Sequence, residues 1–381
     1  MKTTYSTIIC ITLFVGSISF VFGYNKAKDG TYYADFNGDG KHDIFLYDKT
    51  KGTGVVWGWD GNKWKTLWEN NTFRKTWQVH LGDFDGNGKT DMFLYDKAKG
   101  HGVLLAIDGK NKSKAKTLWE NKTFRKTWKM YVGNFTQNKK SELFLYDKKA
   151  GTGVVFGWDK TGKFKTLWEN KTFRKTWDVY PGDFNGNGKS DMFLYDKAKG
   201  HGVVWGWSGK KWSTLWENKT FRKTWKVHVG DFNGDKKSDM FLYDKAKGHG
   251  VVLAIDGKNK SKAKTLWENK TFRKTWDIYP GDITGTGKTA LFLYDKKAGD
   301  GVVFGWDKTG KFKTLWENKT FRKTWDIYPG DVNGDKKVDL FLYDKKAGTG
   351  VLFGWDGKKT FKTLWENKTF RKTWNVFTMV K

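Results

Sequence analysis

The run Trp68-Glu69-Asn70-Asn71-Thr72-Phe73-Arg74-Lys75-Thr76-Trp77 returns six more times, and its last copy spans Trp365 to Trp374. Each copy is paired with a Phe-Leu-Tyr-Asp segment, beginning at Phe45, Phe93, Phe144, Phe193, Phe241, Phe292 and Phe341. The steps between these segments are 48, 51, 49, 48, 51 and 49 residues, so a three-repeat unit of 148 residues has itself been duplicated. A period near 50 residues describes an array of one supersecondary unit.

Within a repeat the segments are short and rich in aromatic and β-branched residues, with Gly, Asn, Asp and Lys between them, which is the pattern of strands and turns. In the fourth repeat, Asp178 to Tyr180, Asp191 to Tyr195, Gly202 to Trp207 and Trp212 to Trp216 read as four strands. Four strands in a repeat of this length is the count of a propeller blade. The second and third strands carry apolar residues on both faces, as expected of sheets stacked on neighbours at each side. The fold class is therefore all-β: a seven-bladed propeller of four-stranded antiparallel blades. The first repeat opens late, at Thr31-Tyr32-Tyr33, whereas the last Trp-to-Trp run is followed by a spare strand, Asn375 to Val380. Terminal strands then close the ring, with Tyr32-Tyr33 and Val376-Phe377 competing for the innermost position.

Residues 1–23 read as a secretory signal. Lys2 supplies the charged end, Ile8 to Phe22 the apolar stretch and Val21-x-Gly23 a small-residue cleavage site. Residues 24–381 form the single propeller domain, and no other segment is apolar enough to span a bilayer. The one cysteine, Cys10, lies inside the signal, so a secreted mature chain has no disulfide. The formal net charge of +30 comes from lysines in the turns of every repeat, a property of the whole surface that favours anionic polymers at low salt. It also keeps sheet edges apart. No recognisable nucleic-acid module accompanies it.

Between the first and second strands of five repeats sits a nonapeptide with oxygen-bearing residues at alternate positions: Asp35, Asn37, Asp39 and Asp43; Asp83, Asp85, Asn87 and Asp91; Asp183, Asn185, Asn187 and Asp191; Asp231, Asn233, Asp235 and Asp239; Asp331, Asn333, Asp335 and Asp339. Such a turn lets several oxygens converge, which suits Ca²⁺ and its 6–8 oxygen ligands. Acidic turns without metal are the plainer reading. Repeats three and six depart, with Glu142 and Ala290 at the last position, and are expected to lack the metal.

The segment Gly182 to Leu194, Gly-Asp-Phe-Asn-Gly-x-x-Lys-x-Asp followed by an apolar strand, resembles the FG-GAP or VCBS repeat of integrin-α-like β-propellers. The resemblance covers essentially the whole mature chain and implies a seven-bladed propeller with calcium in interstrand loops. The chain is also similar to secreted fungal propeller lectins, which implies N-acetylglucosamine pockets between neighbouring blades.

All seven arginines, Arg74, Arg125, Arg174, Arg222, Arg273, Arg322 and Arg371, lie in the repeated run, each three residues before its closing Trp, as with Trp77. They are read either as blade-to-blade ion pairs or as sugar ligands beside a stacking aromatic. Trp57, Trp59, Trp158, Trp205, Trp207, Trp306 and Trp355, on the third-strand hairpin, are the other source of those aromatics. In repeats two and five this position reads Leu105-Ala106-Ile107 and Leu253-Ala254-Ile255, so those blades should be silent or differ in specificity. Each run also encodes an N-glycosylation sequon, from Asn70 to Asn367. Six histidines occur without a matching nucleophile, so no enzyme is expected. The composite expectation is a secreted, monomeric, calcium-stabilised ring binding glycans or glycoconjugates, with adhesion to acidic polysaccharide or cell envelopes as the alternative.

Overall fold

The structure, a computed structural model, describes residues 34–377 apart from 137, 138, 210, 258, 259, 261, 358 and 359, and the paired segments Ser6–Ile8 and Val21–Gly23. The remainder of the signal reading and Tyr32-Tyr33 lie outside the described residues.

Seven four-stranded antiparallel sheets follow one another, each a simple meander from innermost to outermost strand. Blade 4 shows the plan: Asp178–Gly182, Asp191–Asp196, His201–Trp207 and Trp212–Asn218. The C-terminus decides the closure. Trp374–Phe377 pairs antiparallel with Ile44–Asp48, with Phe45 opposite Phe377 and Asp48 opposite Trp374, and so supplies the innermost strand of blade 1.

The second strands are buried along their whole length in every blade, which is why they read as apolar on both faces. Their side chains fill clusters that join adjacent blades. Phe193, Tyr195 and Val204 of blade 4, for example, pack with Val229, Met240 and Leu242 of blade 5. Each third and outer strand pair carries a bulge; in blade 4 it falls between Val204 and Trp205 and leaves Leu215 without an opposite residue. The Leu215 side chain folds under Gly206, where an added Cβ would lie 2.6 Å from it, so the alanine that blades 2 and 5 carry at this position has to displace that side chain.

Two devices hold blade to blade. On the face bearing the acidic loops, the amide at position eight of each loop donates to the carbonyl of position one in the preceding loop, as in Ser141 to Asp83 (2.6 Å) and Ser238 to Asp183 (2.7 Å). The seam obeys the same rule, His42 to Asp331 at 2.8 Å. On the other face, the repeated run crosses between blades. Tyr195 of blade 4 donates its hydroxyl to the Arg222 carbonyl at 2.5 Å, while the Arg222 guanidinium reaches Asp244 of blade 5 at 3.4 Å and lies 4.4 Å over Trp225. Burial raises the Asp244 pKa, but hydrogen bonds from Thr224 and the Lys247 amide and the Arg222 charge outweigh it, holding the carboxyl below its ordinary value.

His80 and His228 sit on innermost strands, buried against the second strand, where four other blades place Tyr131, Tyr180, Tyr279 and Tyr328. Burial pushes His80 down to about 4, and burial with the Lys226 charge pushes His228 down to about 3.

Two outcomes follow from these contacts. Asp48→Asn removes the charge addressed by Arg371 (3.6 Å) and Thr373 (2.5 Å) at the seam. It should cost roughly 1–3 kcal/mol, read as a lower melting temperature and faster amide exchange in Trp374–Phe377; unchanged values would contradict the staple. Because the folded-state histidine pKa values are depressed, the unfolded chain binds more protons below its ordinary value of about 6.5, and stability falls on acidification at up to ~1.4 kcal/mol per pH unit for each histidine. A His80→Tyr, His228→Tyr double variant should therefore lose melting temperature less steeply than the parent between about pH 6.5 and 4; parallel curves would show that these rings are not neutral in the folded state.

Candidate functional site

Strand alternation puts the first-to-second and third-to-fourth connections on one face of the ring, and the second-to-third and blade-to-blade connections on the other. The acidic loops and the Trp hairpins thus share a face, and the Arg runs occupy the opposite one.

In the acidic loops, position one caps the turn. Asp83 accepts the amides of Gly86 (2.7 Å) and Gly88 (3.0 Å), and Asp91 at position nine accepts those of Phe84 (2.8 Å) and Asp85 (3.0 Å). Asp35 and Asp43, Asp183 and Asp191, Asp231 and Asp239, and Asp331 and Asp339 repeat this pairing. Asn37, Asn185, Asn233 and Asn333 at position three, with Asp39, Asn87, Asn187, Asp235 and Asp335 at position five, ring the outside of the turns. Carboxylate oxygens of Asp83, Asp85 and Asp91 lie within 4.8 Å of one another. Burial first, then the neighbouring aspartates, raise Asp91 to about 8; burial chiefly raises Asp83 to about 6. Asp239 and Asp231 behave alike, at about 8 and about 6. Asp43 Oδ1 and Asp239 Oδ1 are buried without a hydrogen-bond partner among the described residues. Crowded, desolvated carboxylates with an unused oxygen fit a hard dication.

In blade 3, Glu142 spends both carboxylate oxygens inside the loop, on the Phe135 and Thr136 amides (2.8 Å each) and the Thr136 hydroxyl. In blade 6, Ala290 offers none.

The structure brings Trp158 and Trp207 into one cleft of about 520 Å³ between blades 3 and 4, with Thr136, Lys140, Asp159, Lys160, Leu167 and Gly209. Lys140 Nζ stands 5.5 Å over the Trp158 ring. Asp159 is tied to Lys165 Nζ at 2.6 Å and accepts the Thr161 and Lys163 amides. The cleft therefore offers an indole wall beside hydroxyl, ammonium and carboxylate groups, the combination that stacks on a pyranose ring and bonds its hydroxyls. Lys140 and Thr136 escaped the sequence reading. The Lys at position seven of every loop was the signal for the first.

The other hairpin tryptophans pack on neighbouring rings. Trp57 and Trp59 rest against Trp64 at 6.1 and 5.2 Å, Trp57 also touches Phe370, and Trp205 meets Phe173 at 5.8 Å, so these fill space between blades. Trp306 packs on Phe312 and Trp355 on Phe361. Blade 2, with Ala106-Ile107 in place of Gly-Trp, has a different hollow of about 370 Å³ lined by Asn87, Lys89 and Lys116.

The arginines stand apart from this cleft. Arg74, Arg125, Arg174, Arg222, Arg273 and Arg322 reach an aspartate of the following blade at 3.3–3.4 Å, and Arg371 reaches Asp48 at 3.6 Å. Each guanidinium lies 4.3–4.6 Å over the tryptophan three residues on, Trp77 in the first case. In three blades it also donates to a histidine, as from Arg74 to His101 Nδ1 at 2.8 Å, and His101 Nε2 in turn meets Glu120.

Residues 35–94 match the FG-GAP-like repeat family. No curated protein sequence matches the chain. Among solved structures, an Agrocybe aegerita lectin described for recognition of non-reducing terminal N-acetylglucosamine shares 16% identity and a TM-score of 0.67, over 90% of this chain and 96% of that one. A periplasmic gluconolactonase of Pseudomonas aeruginosa shares 11% identity and a TM-score of 0.56, over 89% and 99%. A putative 6-phosphogluconolactonase of Bacteroides fragilis shares 14% and 0.54, over 87% and 96%. At these identities the likeness is one of fold: the chain is a seven-bladed β-propeller containing an FG-GAP-like repeat. The expectation that it is not an enzyme is corrected here, because propellers named as lactonases share the ring, and the absence of a nucleophile pattern in sequence does not separate binding from catalytic members.

Proposed function

We propose that the protein is a carbohydrate-binding ring and that the cleft between blades 3 and 4 is a saccharide site. The observation that carries this is the meeting of Trp158 and Trp207 with Thr136, Lys140 and Asp159 in one open interblade cleft. The similarity to a lectin that recognises terminal N-acetylglucosamine supports the reading and makes that sugar the first to test. Trp158 supplies the stacking face, and the polar groups around it set orientation. Weak sites of this kind on one ring gain avidity of roughly 10²–10⁴ on a surface that presents several glycans.

Ca²⁺ in the five acidic loops is part of the same proposal. It would be held by positions one, three, five and nine, for example Asp83, Asp85, Asn87 and Asp91, and would neutralise carboxylates that burial otherwise drives toward protonation. Secretion, which places the ring where glycans are, is likewise proposed from the N-terminal signal.

A second reading, adhesion to acidic polymers, is favoured by the net charge of +30. Salt separates the two, because counterion-driven binding collapses with ionic strength while stacking persists.

By calorimetry with an N-acetylglucosamine oligosaccharide, Trp158→Ala should weaken the blade 3–4 site by about tenfold with the circular dichroism unchanged; undiminished binding in a folded variant would remove this cleft. Calcium should raise the melting temperature, and Asp183→Ala with Asp191→Ala should shrink that rise; an equal rise in parent and variant would remove the metal from that loop.

A further inference from the structure

Ten Asn-x-Ser/Thr sequons occur in the chain, and the fold sorts them. Seven belong to the repeated run, from Asn70-Asn71-Thr72 in blade 1 to Asn367-Lys368-Thr369 in blade 7. In each, the asparagine is the last residue of an outermost strand, as Asn70 is of Trp64–Asn70 and Asn218 of Trp212–Asn218. It is partly exposed, and the two residues after it are fully so. Its Oδ1 accepts the amide of the threonine two residues on at 2.7–2.8 Å and the hydroxyl of that threonine at 3.1–3.2 Å. The oxygen end of each amide is thus held, while Nδ2 has no protein partner among the described residues.

Three sequons lie outside the run. Asn111-Lys112-Ser113, in a hairpin of blade 2, makes the same turn, with Oδ1 3.2 Å from both the amide and the hydroxyl of Ser113. Residue 259 is outside the described residues. Asn134-Phe135-Thr136 differs: Asn134 is 4% exposed and Phe135 is fully buried. The Asn134 amide donates to Ser190 Oγ at 2.9 Å and its carbonyl accepts the Ser190 amide at 2.8 Å, so this residue is part of the bond between the loops of blades 3 and 4. Its threonine gives the hydroxyl to Glu142. A glycan on Asn134 would have to pass through packed interblade contacts.

We infer that the seven asparagines of the repeated run carry N-linked glycans and that Asn134 does not. The hydroxyl two residues on marks the acceptor amide. Its Nδ2 attacks C1 of an oligosaccharide carried on a lipid pyrophosphate: the N–C1 bond forms, the C1–O bond breaks, the pyrophosphate leaves with the electron pair, and one Nδ2 proton passes to a base of the transferase. Because transfer acts on unfolded segments, the folded ring decides which modified side chains it can hold, and it holds those at the rim. Each outermost strand ends on the face of the Arg runs, so the glycans stand away from the interblade clefts. The outer edges of these strands have no sheet partner, and bulky solvated chains at their ends hinder edge-to-edge pairing. The inference rests on the proposed secretion, which brings the chain to the transferase.

The test is the intact mass of the full chain, carrying Asn111→Gln and Asn259→Gln and its own N-terminus, collected from the medium of a eukaryotic secretory host. Peptide N-glycosidase in heavy-oxygen water converts each glycosylated asparagine to a labelled aspartate, and seven labels should be counted, one for each copy of the run. Thr72→Ala, which keeps Asn70, should lower the count by one, and Asn134→Gln should leave it unchanged. A secreted chain with fewer labels than copies of the run, or with an additional label lost in Asn134→Gln, overturns this inference alone. A chain that stays inside the cell without glycan overturns it together with the secretion reading.

Discussion

One backbone hydrogen bond governs the ring: the amide at position eight of each acidic loop given to the carbonyl at position one of the loop before it. It recurs at 2.6–3.0 Å from Thr90 to Asp35 round to Val338 and Asp282, and again at the seam. A bond between loops, not between strands, fixes how far each blade is rotated from the last, so the width of every interblade cleft depends on it. Several links are doubled by a side chain: Asp35 donates its amide to the Thr90 hydroxyl, Asn134 to Ser190, and Asp331 to His42 Nδ1. Since position one also caps its own turn, loop shape and blade spacing are a single constraint, which a dication in the loop would tighten.

The fold was legible because its grammar is repetitive. Phe193-Leu194-Tyr195-Asp196 has one job per residue: Phe193 and Leu194 face opposite interblade clusters, the Tyr195 hydroxyl holds the crossover, and Asp196 receives Arg174. Each job demands its residue type, so the pattern survives in every copy. What escaped was the choice between Tyr32-Tyr33 and Val376-Phe377 for the closing strand, because both are short, apolar and β-prone; only register against Ile44–Asp48 decides it.

The candidate site was legible in its aromatics and not in its boundaries. Seven hairpin tryptophans look alike in sequence, but Trp57 and Trp205 meet Phe370 and Phe173 of the preceding repeat's run whereas Trp158 and Trp207 line one cleft. Trp205 and Trp207 both follow the bulge of their strand, so strand position does not announce the division and only the neighbouring blade's side chains make it. Arg74 and its six repeats were open to either of two readings; the guanidinium is found between an aspartate of the next blade and an indole, on the face away from the clefts. Lys139, Lys236 and Lys336, with φ of 62°, 69° and 66° where the other four loops have glycine, show the loop shape imposed against residue preference.

Placed together, these constraints describe a scaffold in which cleft width is set by backbone bonds and specificity by one or two residues per loop. Duplication of a three-blade unit then supplies paired loops free to diverge, as Glu142 and Ala290 have. The claim at the centre of this account is that the interblade clefts bind saccharide by stacking and hydrogen bonding rather than by charge alone. Binding of the mature protein to a broad glycan array, with calcium, at about 0.15 M and again at about 1 M salt, tests it most directly. The account predicts binding to a defined neutral sugar that persists at high salt and is competed by the free monosaccharide. Binding confined to acidic polymers and lost at high salt would contradict it.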